Sequence, residues 1–315
     1  MAVFTPVAEA DAEPFIRRFG LGGLRALTPI AEGVQNTNYR LDVDQGSFVL
    51  TLFEGRTDAE ALPFCLGLTR HAAERGLPCA RPLTDQDGRV IGRLNDRPAA
   101  ILNWLPGAAR ARPTLADQTA AGALLARLHL AAADYPARRN NPVGPAARRA
   151  LFDRCSARAT GADRRLLDRL APWVEEGAPD PAAGLPRGPI HADYFPDNIL
   201  FEEDAVSGLI DFYFACVDTL AYDLAIALSA WGFDDTGAPL PAAIKAFQAG
   251  YESVRPLTDA ERAALPGLGA VAAVRFTLTR LHDRLFHDPR ALVTPKEPAP
   301  FLRRLDWWTD STLAA

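Results

Sequence analysis

His191, Asp193 and Asn198 stand in an H-x-D-x-x-x-x-N spacing within IHADYFPDNILF, and Asp211 follows inside the apolar run SGLIDFYF. Two carboxylates and an amide at the mouths of extended apolar segments suit the transfer of a phosphoryl group to a hydroxyl. That reaction needs a carboxylate to orient the attacking hydroxyl and accept its proton, and oxygen ligands for magnesium bridging the phosphates. Asp193 suits the first role, and Asn198 with Asp211 the second. Magnesium keeps waters and substrate phosphates in its octahedral shell, so one carboxylate and one amide from the protein are enough. His191 then has a structural task, its ring bonded to backbone so that the loop keeps its shape. Singly, each of these residues is more ordinarily a turn or strand-end residue; the joint spacing carries the reading.

Such a loop needs a partner that holds the nucleotide. The segment GVQNTNY contributes Gly33, Val34, Gln35, Asn36, Thr37 and Asn38, glycine and short polar side chains between two expected strands. Backbone N–H groups of a loop of this kind can cover phosphates.

The elements that must position these residues fall into two groups. Residues 9–19 predict a short helix presenting Phe15, Ile16 and Phe19, followed by a glycine turn. Extended runs follow at 28–33, 38–43 and 47–53, the last two joined by a turn at Asp44-Gln45-Gly46. A helix over 59–75 and strands at 89–94 and 98–105 complete a sheet-rich region. Beyond it helices are expected near 115–133, 145–158, 162–176, 218–231, 240–254, 258–286 and 298–311, interrupted by a strand-loop-strand unit at 190–212 that turns at Gly208. The paired tryptophans Trp307 and Trp308 suit docking of the last helix. The fold class is therefore α+β in two lobes: residues 1–102 as an antiparallel-sheet lobe that binds nucleotide, and 103–315 as a larger, mainly helical lobe for catalysis and substrate.

Composition sets the outer bounds. A net charge of -5 without a segregated basic cluster speaks against a nucleic-acid partner. No apolar stretch reaches the length of a membrane span, and no basic start leads into an apolar leader. Cys65, Cys79, Cys155 and Cys216 fall in no metal-ligand spacing, and reduced thiols fit a cytoplasmic location. His71, His129, His282 and His287 lack ligand-type spacing and read as packing or surface residues.

These motifs resemble the aminoglycoside phosphotransferase and choline kinase superfamily, which shares the two-lobed protein-kinase-like fold, and within it the homoserine kinases built on that fold. HADYFPDNILF with the later Asp211 marks the superfamily; IAEGVQNTNY, FVLTLFE, LPFCLGL and SGLIDFYFACVDTLAYDLAIALSAW carry the closer likeness. The resemblance implies transfer of the γ-phosphoryl of ATP, with Mg2+, to the hydroxyl of L-homoserine, a step of threonine biosynthesis. Carried over by position, Asp193 is the catalytic aspartate, Asn198 and Asp211 are the magnesium ligands, residues 33–38 form the nucleotide loop, and Ile101, Leu102, Asn103 and Trp104 form the hinge against adenine.

One departure is plain. Kinases of this fold place a lysine on the third strand, but here Thr51 stands there, and residues 1–244 contain no lysine. Arg40 and Arg56 are the nearest cations in sequence, with magnesium taking more of the phosphate charge. A zwitterionic acceptor needs a cation for its carboxylate, for which arginine has the matching fork; Arg275 or Arg280 is expected there, with Asp211, Tyr213, Asp223 or Trp231 on the ammonium side, although Asp223 reads better as a tether of the loop. Choline, a methylthio-sugar or an aminoglycoside as acceptor, and a silent nucleotide-binding scaffold, remain open alternatives at this level.

Overall fold

A computed structural model describes residues 5–30, 36–54, 58–175, 180–287 and 294–310. Helix α1 (Glu9–Arg17) buries Ala12, Phe15 and Ile16, positions three and four apart that share one helical face. They pack on an antiparallel sheet of β1 (Leu24–Pro29), β2 (Thr37–Val43), β3 (Gly46–Leu52), β4 (Gly92–Leu94) and β5 (Arg97–Asn103), ordered β1-β2-β3-β5-β4. Strand alternation divides the sheet. Tyr39, Leu41, Val43, Leu50, Leu52, Ala99 and Ile101 face α1, whereas Asn38, Val49, Thr51, Ala100 and Leu102, neighbours by register, face the opposite way. The β4–β5 turn holds Asn95 and Asp96 at φ 47° and 59°, the left-handed pair that a two-residue hairpin requires.

One sequence expectation shifts here. The first strand begins at Leu24, not at residue 28; it is an edge strand with no clean alternation of burial, so periodicity does not mark it. The expected run through residue 33 ends partly outside the described residues.

Helix α2 (Leu62–Glu74) crosses to the second lobe, where α3 (Leu115–Ala131), α4 (Pro145–Ser156), α5 (Gly161–Leu170), α6 (Leu220–Trp231), α7 (Pro241–Glu252), α8 (Asp259–Leu285) and α9 (Ala299–Thr309) surround the main core. Thr114 with Asp117 and Thr258 with Glu261 close reciprocal capping boxes at the starts of α3 and α8. Among the described residues no helix is long and apolar enough to cross a membrane.

Close helix crossings set the geometry of the lobe. A Cβ on Gly122 of α3 would lie 2.1 Å from the Phe247 carbonyl oxygen of α7, and one on Gly250 of α7 would lie 2.0 Å from the Thr119 carbonyl oxygen. The helices therefore touch backbone to backbone. Similarly, Gly269 of α8 leaves room for the Trp308 ring, whose Nε1 donates to Ser229 Oγ at 2.9 Å and docks α9.

Two short hairpins carry the candidate site. Strand β6 (Arg187–Ile190) pairs with β9 (Cys216–Thr219), and β7 (Ile199–Glu202) with β8 (Ala205–Leu209). The turn of the second hairpin is at Glu203-Asp204, with Glu203 at φ 49°, and not at Gly208. Gly208 lies within β8, where a Cβ would meet Leu200 and Leu105 side-chain carbons at 2.9 and 3.0 Å. The glycine reflects a close approach, which a sequence cannot distinguish from a turn.

The lobes meet on this hairpin. The Leu209 amide donates to the Pro78 carbonyl of the first lobe at 2.7 Å, and within the second lobe Ala108 and Phe201 exchange backbone hydrogen bonds at 3.0 and 2.9 Å. Replacing Gly122 by alanine forces α3 and α7 apart. An expected loss of about 1–3 kcal/mol, typical of overpacking, is read as a lower midpoint in urea unfolding.

Candidate active site

The loop between β6 and β7 turns sharply, with Ala192 at φ 62°. Three buried groups hold it there. Asp223, in the first turn of α6, accepts from the His191 amide through Oδ2 and from the Ala192 amide through Oδ1, both at 2.8 Å. His129 Nε2 meets the same carboxylate at 3.0 Å, and its Nδ1 meets the Tyr251 hydroxyl at 2.8 Å. From the other side Arg275 Nη1 donates to the Ala192 carbonyl at 2.6 Å. Burial alone would raise the Asp223 pKa, but the bonds from His129 and the loop amides outweigh it and hold the carboxyl below its usual range.

His191 joins this loop to the segment bearing Asp211. Its Nε2 faces the Ile210 carbonyl at 3.0 Å, and the Asp193 amide donates to Nδ1 at 3.3 Å. Burial lowers its pKa against the pull of Asp223 and Asp193, so the ring is neutral near pH 7, Nε2 carrying the proton.

Asp193, Asn198 and Asp211 converge. Asn198 donates from Nδ2 to the Asp193 carbonyl at 2.8 Å, which commits the amino end of its amide and leaves the oxygen end for an external ligand. Asp211 has left-handed backbone angles, φ 63° and ψ 61°, at the start of a single 3-10 turn, Phe212–Phe214. Its Oδ1 is buried without a hydrogen-bond partner. Burial and then the charge of Asp193 push its pKa up to about 7; burial likewise raises Asp193, partly opposed by Arg275. Two carboxylates that disfavour each other's ionisation, one with an orphaned oxygen, make a donor set that a divalent cation fits.

Gly33, Val34, Gln35 and Arg56 lie outside the described residues. Of the remaining nucleotide-side candidates, Asn36 accepts from the Glu54 amide through Oδ1 at 3.2 Å, and Thr37 donates to Glu54 Oε1 at 2.7 Å. Thr51 donates to Asn38 Oδ1 at 2.8 Å across β2 and β3. Arg40 is committed elsewhere: it pairs with Asp42 at 3.1 Å and stacks 4.9 Å from the Trp104 ring centroid. Leu102 is buried, while Asn103 and Trp104 are exposed at the end of β5.

The phosphotransferase enzyme family model matches residues 26–257, most of the sheet lobe and the whole candidate loop. The homoserine kinase of Gluconobacter oxydans is 47% identical over 312 residues, covering 97% of each chain. That of Xanthobacter autotrophicus is 44% identical over 97% of this chain and 95% of its own. This chain belongs to the phosphotransferase enzyme family. Solved relatives share the fold at low identity: a putative aminoglycoside phosphotransferase from Ralstonia eutropha superposes with TM-score 0.68 at 16% identity, covering 96% of this chain and 98% of its own. A choline/ethanolamine kinase family protein from Mesorhizobium loti gives 0.65 at 17% identity, with 97% and 95% covered. The enzyme is accordingly an ATP-dependent small-molecule kinase acting on an alcohol group, in the two-lobed protein-kinase-like fold.

Several acceptor-side expectations require correction in this phosphotransferase. Asp223 is fully buried and spends both oxygens on the loop and His129, so it faces no acceptor. Trp231 is a core residue, 2% exposed, whose Nε1 donates to the Tyr194 carbonyl at 3.1 Å. Tyr213 stands half-buried at the lobe junction, edge-on to Phe53 at 5.3 Å, and stays a candidate. Arg275 is 2% exposed between Phe276 and Phe214 and holds the Ala192 carbonyl; it is a loop anchor. Arg280, like Tyr213, is partly exposed, and Asp193 and Asp197 act on its charge.

Sequence reading overlooks two arginines. Arg139 donates to the Tyr213 and Ala215 carbonyls, both at 2.8 Å, and so fixes the turn after Asp211; nothing around PARRNN marks it. Arg304 is buried on the apolar face of α9, in phase with Phe301, Leu305 and Trp308, and that misplaced charge is the available signal.

Asp211 gives a testable sign. Its folded pKa lies above the ordinary carboxylate value, so its contribution to stability is lost as pH rises from about 4 to about 7. Asp211→Asn does not titrate. Without divalent cation, the melting temperature of the variant minus that of the wild type is expected to grow from pH 5 to pH 8; a pH-independent difference contradicts the assignment.

Proposed function

We propose that this kinase transfers the γ-phosphoryl of ATP to the hydroxyl of L-homoserine, giving O-phospho-L-homoserine for threonine biosynthesis in the cytoplasm. The observation that carries the acceptor is the 47% identity, spread over 97% of the chain, to a homoserine kinase. Use of ATP has further support from the fold relative solved with AMP-PNP, an amicoumacin kinase of TM-score 0.66 and 16% identity that covers 96% of this chain and 95% of its own.

The chemistry follows from the loop. Asp193 orients the acceptor hydroxyl and takes its proton as the oxygen attacks; its raised pKa makes it a better base than an ordinary carboxylate. Asn198 and Asp211 would hold Mg2+, which neutralises charge on the β- and γ-phosphates. A bound cation would offset the unfavourable charge of Asp193 on Asp211. Residues 1–102 hold the nucleotide through the 33–38 loop, Thr51 and the hinge at Leu102, Asn103 and Trp104, and residues 103–315 supply catalysis and the acceptor site. With Thr51 bonded to Asn38, the strand offers a hydroxyl where a lysine is usual, and magnesium would carry more of the phosphate charge.

The test is coupled ADP release with ATP and Mg2+ against L-homoserine, L-serine, choline, methylthioribose and kanamycin. Turnover confined to homoserine is expected, and Asp193→Asn should lower kcat by about 10²–10⁴-fold with the ATP KM little changed. Preference for another acceptor refutes the homoserine reading.

Metal dependence offers a separate measurement. Mg2+ added with AMP-PNP should raise the melting temperature of the wild type, and Asp211→Asn or Asn198→Ala should lose most of that increment. Equal increments in all three would remove these residues as ligands.

A further inference from the structure

Beside the catalytic loop, two guanidinium groups crowd one aromatic ring. Arg304 stacks 4.1 Å and Arg280 4.4 Å from the Phe301 ring centroid. Phe301 is fully buried and joins an aromatic group with Phe276 at 4.9 Å and Phe195 at 6.2 Å, and Phe195 follows Asp193 closely in the loop. The arginines thus stand on a platform rigidly connected to the residue that meets the acceptor hydroxyl.

Asp193 and Asp197 act on the Arg280 charge from a distance, and Asp234 and Asp235 on that of Arg304, but none of them bonds to either guanidinium. Arg304 is 6% exposed, and its Nη2 donates to the Asp234 carbonyl at 3.2 Å, while its Nε is buried with no partner. Arg280 Nη1 donates to the Glu297 carbonyl at 3.2 Å. Among the described residues no carboxylate lies within ion-pair distance of either. Burial first, then the like charge of Arg280, lowers the Arg304 pKa to about 10. Packing two desolvated cations together without a directly bonded carboxylate is costly, whereas the nearby Arg284 pairs with both Asp163 and Glu297. An unsatisfied arginine pair next to a substrate loop matches a ligand carboxylate, which offers two acceptor oxygens to planar N–H forks.

We propose that Arg280 and Arg304, held on the Phe301 ring, form the site for the α-carboxylate of the amino-acid acceptor. This rests on the homoserine reading above and adds Arg304 as a specificity-determining residue. The clamp sets which alcohols are used: an acceptor bearing a carboxylate is drawn to the loop, and a decarboxylated one meets two unpaired cations.

The experiment measures kcat and KM for L-homoserine and for 3-aminopropan-1-ol, its decarboxylated counterpart, together with inhibition by L-2-aminobutyrate, which keeps the carboxylate but lacks the hydroxyl. Wild type, Arg280→Gln, Arg304→Gln and Arg304→Lys are compared, and melting curves identify folded variants. Loss of a charge-assisted bond should raise the homoserine KM and weaken aminobutyrate inhibition by roughly 10- to 100-fold. The effect on kcat should be smaller, the ATP KM should hold, and the wild-type preference for homoserine over aminopropanol should shrink. Arg304→Lys, keeping the charge without the fork, should fall between. If both acceptors lose equally, or if homoserine KM and aminobutyrate inhibition do not move in folded variants, the clamp is wrong while the kinase assignment stands. If the wild type turns over choline or kanamycin and not homoserine, the acceptor reading itself has failed and the clamp falls with it.

Discussion

The carboxylate of Asp223 accepts two successive backbone amides of the loop that presents Asp193, and much of the second lobe exists to keep that contact in place. A buried carboxylate is tolerated only when its charge is met by donors. Here they are the His191 and Ala192 amides and His129, itself steadied by Tyr251. The chain of contacts therefore runs from α7 through α3 to α6 and then into the loop. The backbone-to-backbone approach of α3 and α7 at Gly122 and Gly250 sets the spacing that this chain needs. Arg275 completes the restraint by taking the Ala192 carbonyl, so the strained residue is held by both of its peptide groups.

A rigid loop allows the remaining groups to be unfavourable toward each other. Asp193 and Asp211 are brought together in partial burial with an oxygen left unpartnered, an arrangement that raises the free energy of the empty enzyme. The arginine pair on Phe301 follows the same principle with opposite sign. Carboxylates on one side of the loop and guanidinium groups on the other are thus kept apart and incompletely satisfied, the kind of arrangement that charged ligands complete.

Much of this was legible in the chain. Helical periodicity located α3, α6, α8 and α9 to within a few residues, and H-x-D-x-x-x-x-N with the later aspartate named groups that do converge. Asp223 was recognisable as a tether from its place at a helix start. What the sequence could not convey is which way a polar residue points when several faces are available. Trp231 and Arg275 have the right types for recognising an amino acid, yet each is taken up by a local partner: the Tyr194 carbonyl and the Ala192 carbonyl. Gly208 was misread because a glycine needed for close packing looks like one needed for a turn. Arg304 did carry a signal, a charge in phase with an apolar helical stripe, but that signal becomes meaningful only once Phe301 is seen beside the loop.

The threonine at position 51 has a consequence for chemical proteomics. Reagents that survey kinases by delivering an activated acyl group from a nucleotide depend on a primary amine near the phosphates. Residues 1–244 of this chain contain no lysine, and Lys296 stands 3.6 Å from Asp197 of the loop. Such a survey would register this enzyme through Lys296 or pass it over, however tightly it held ATP.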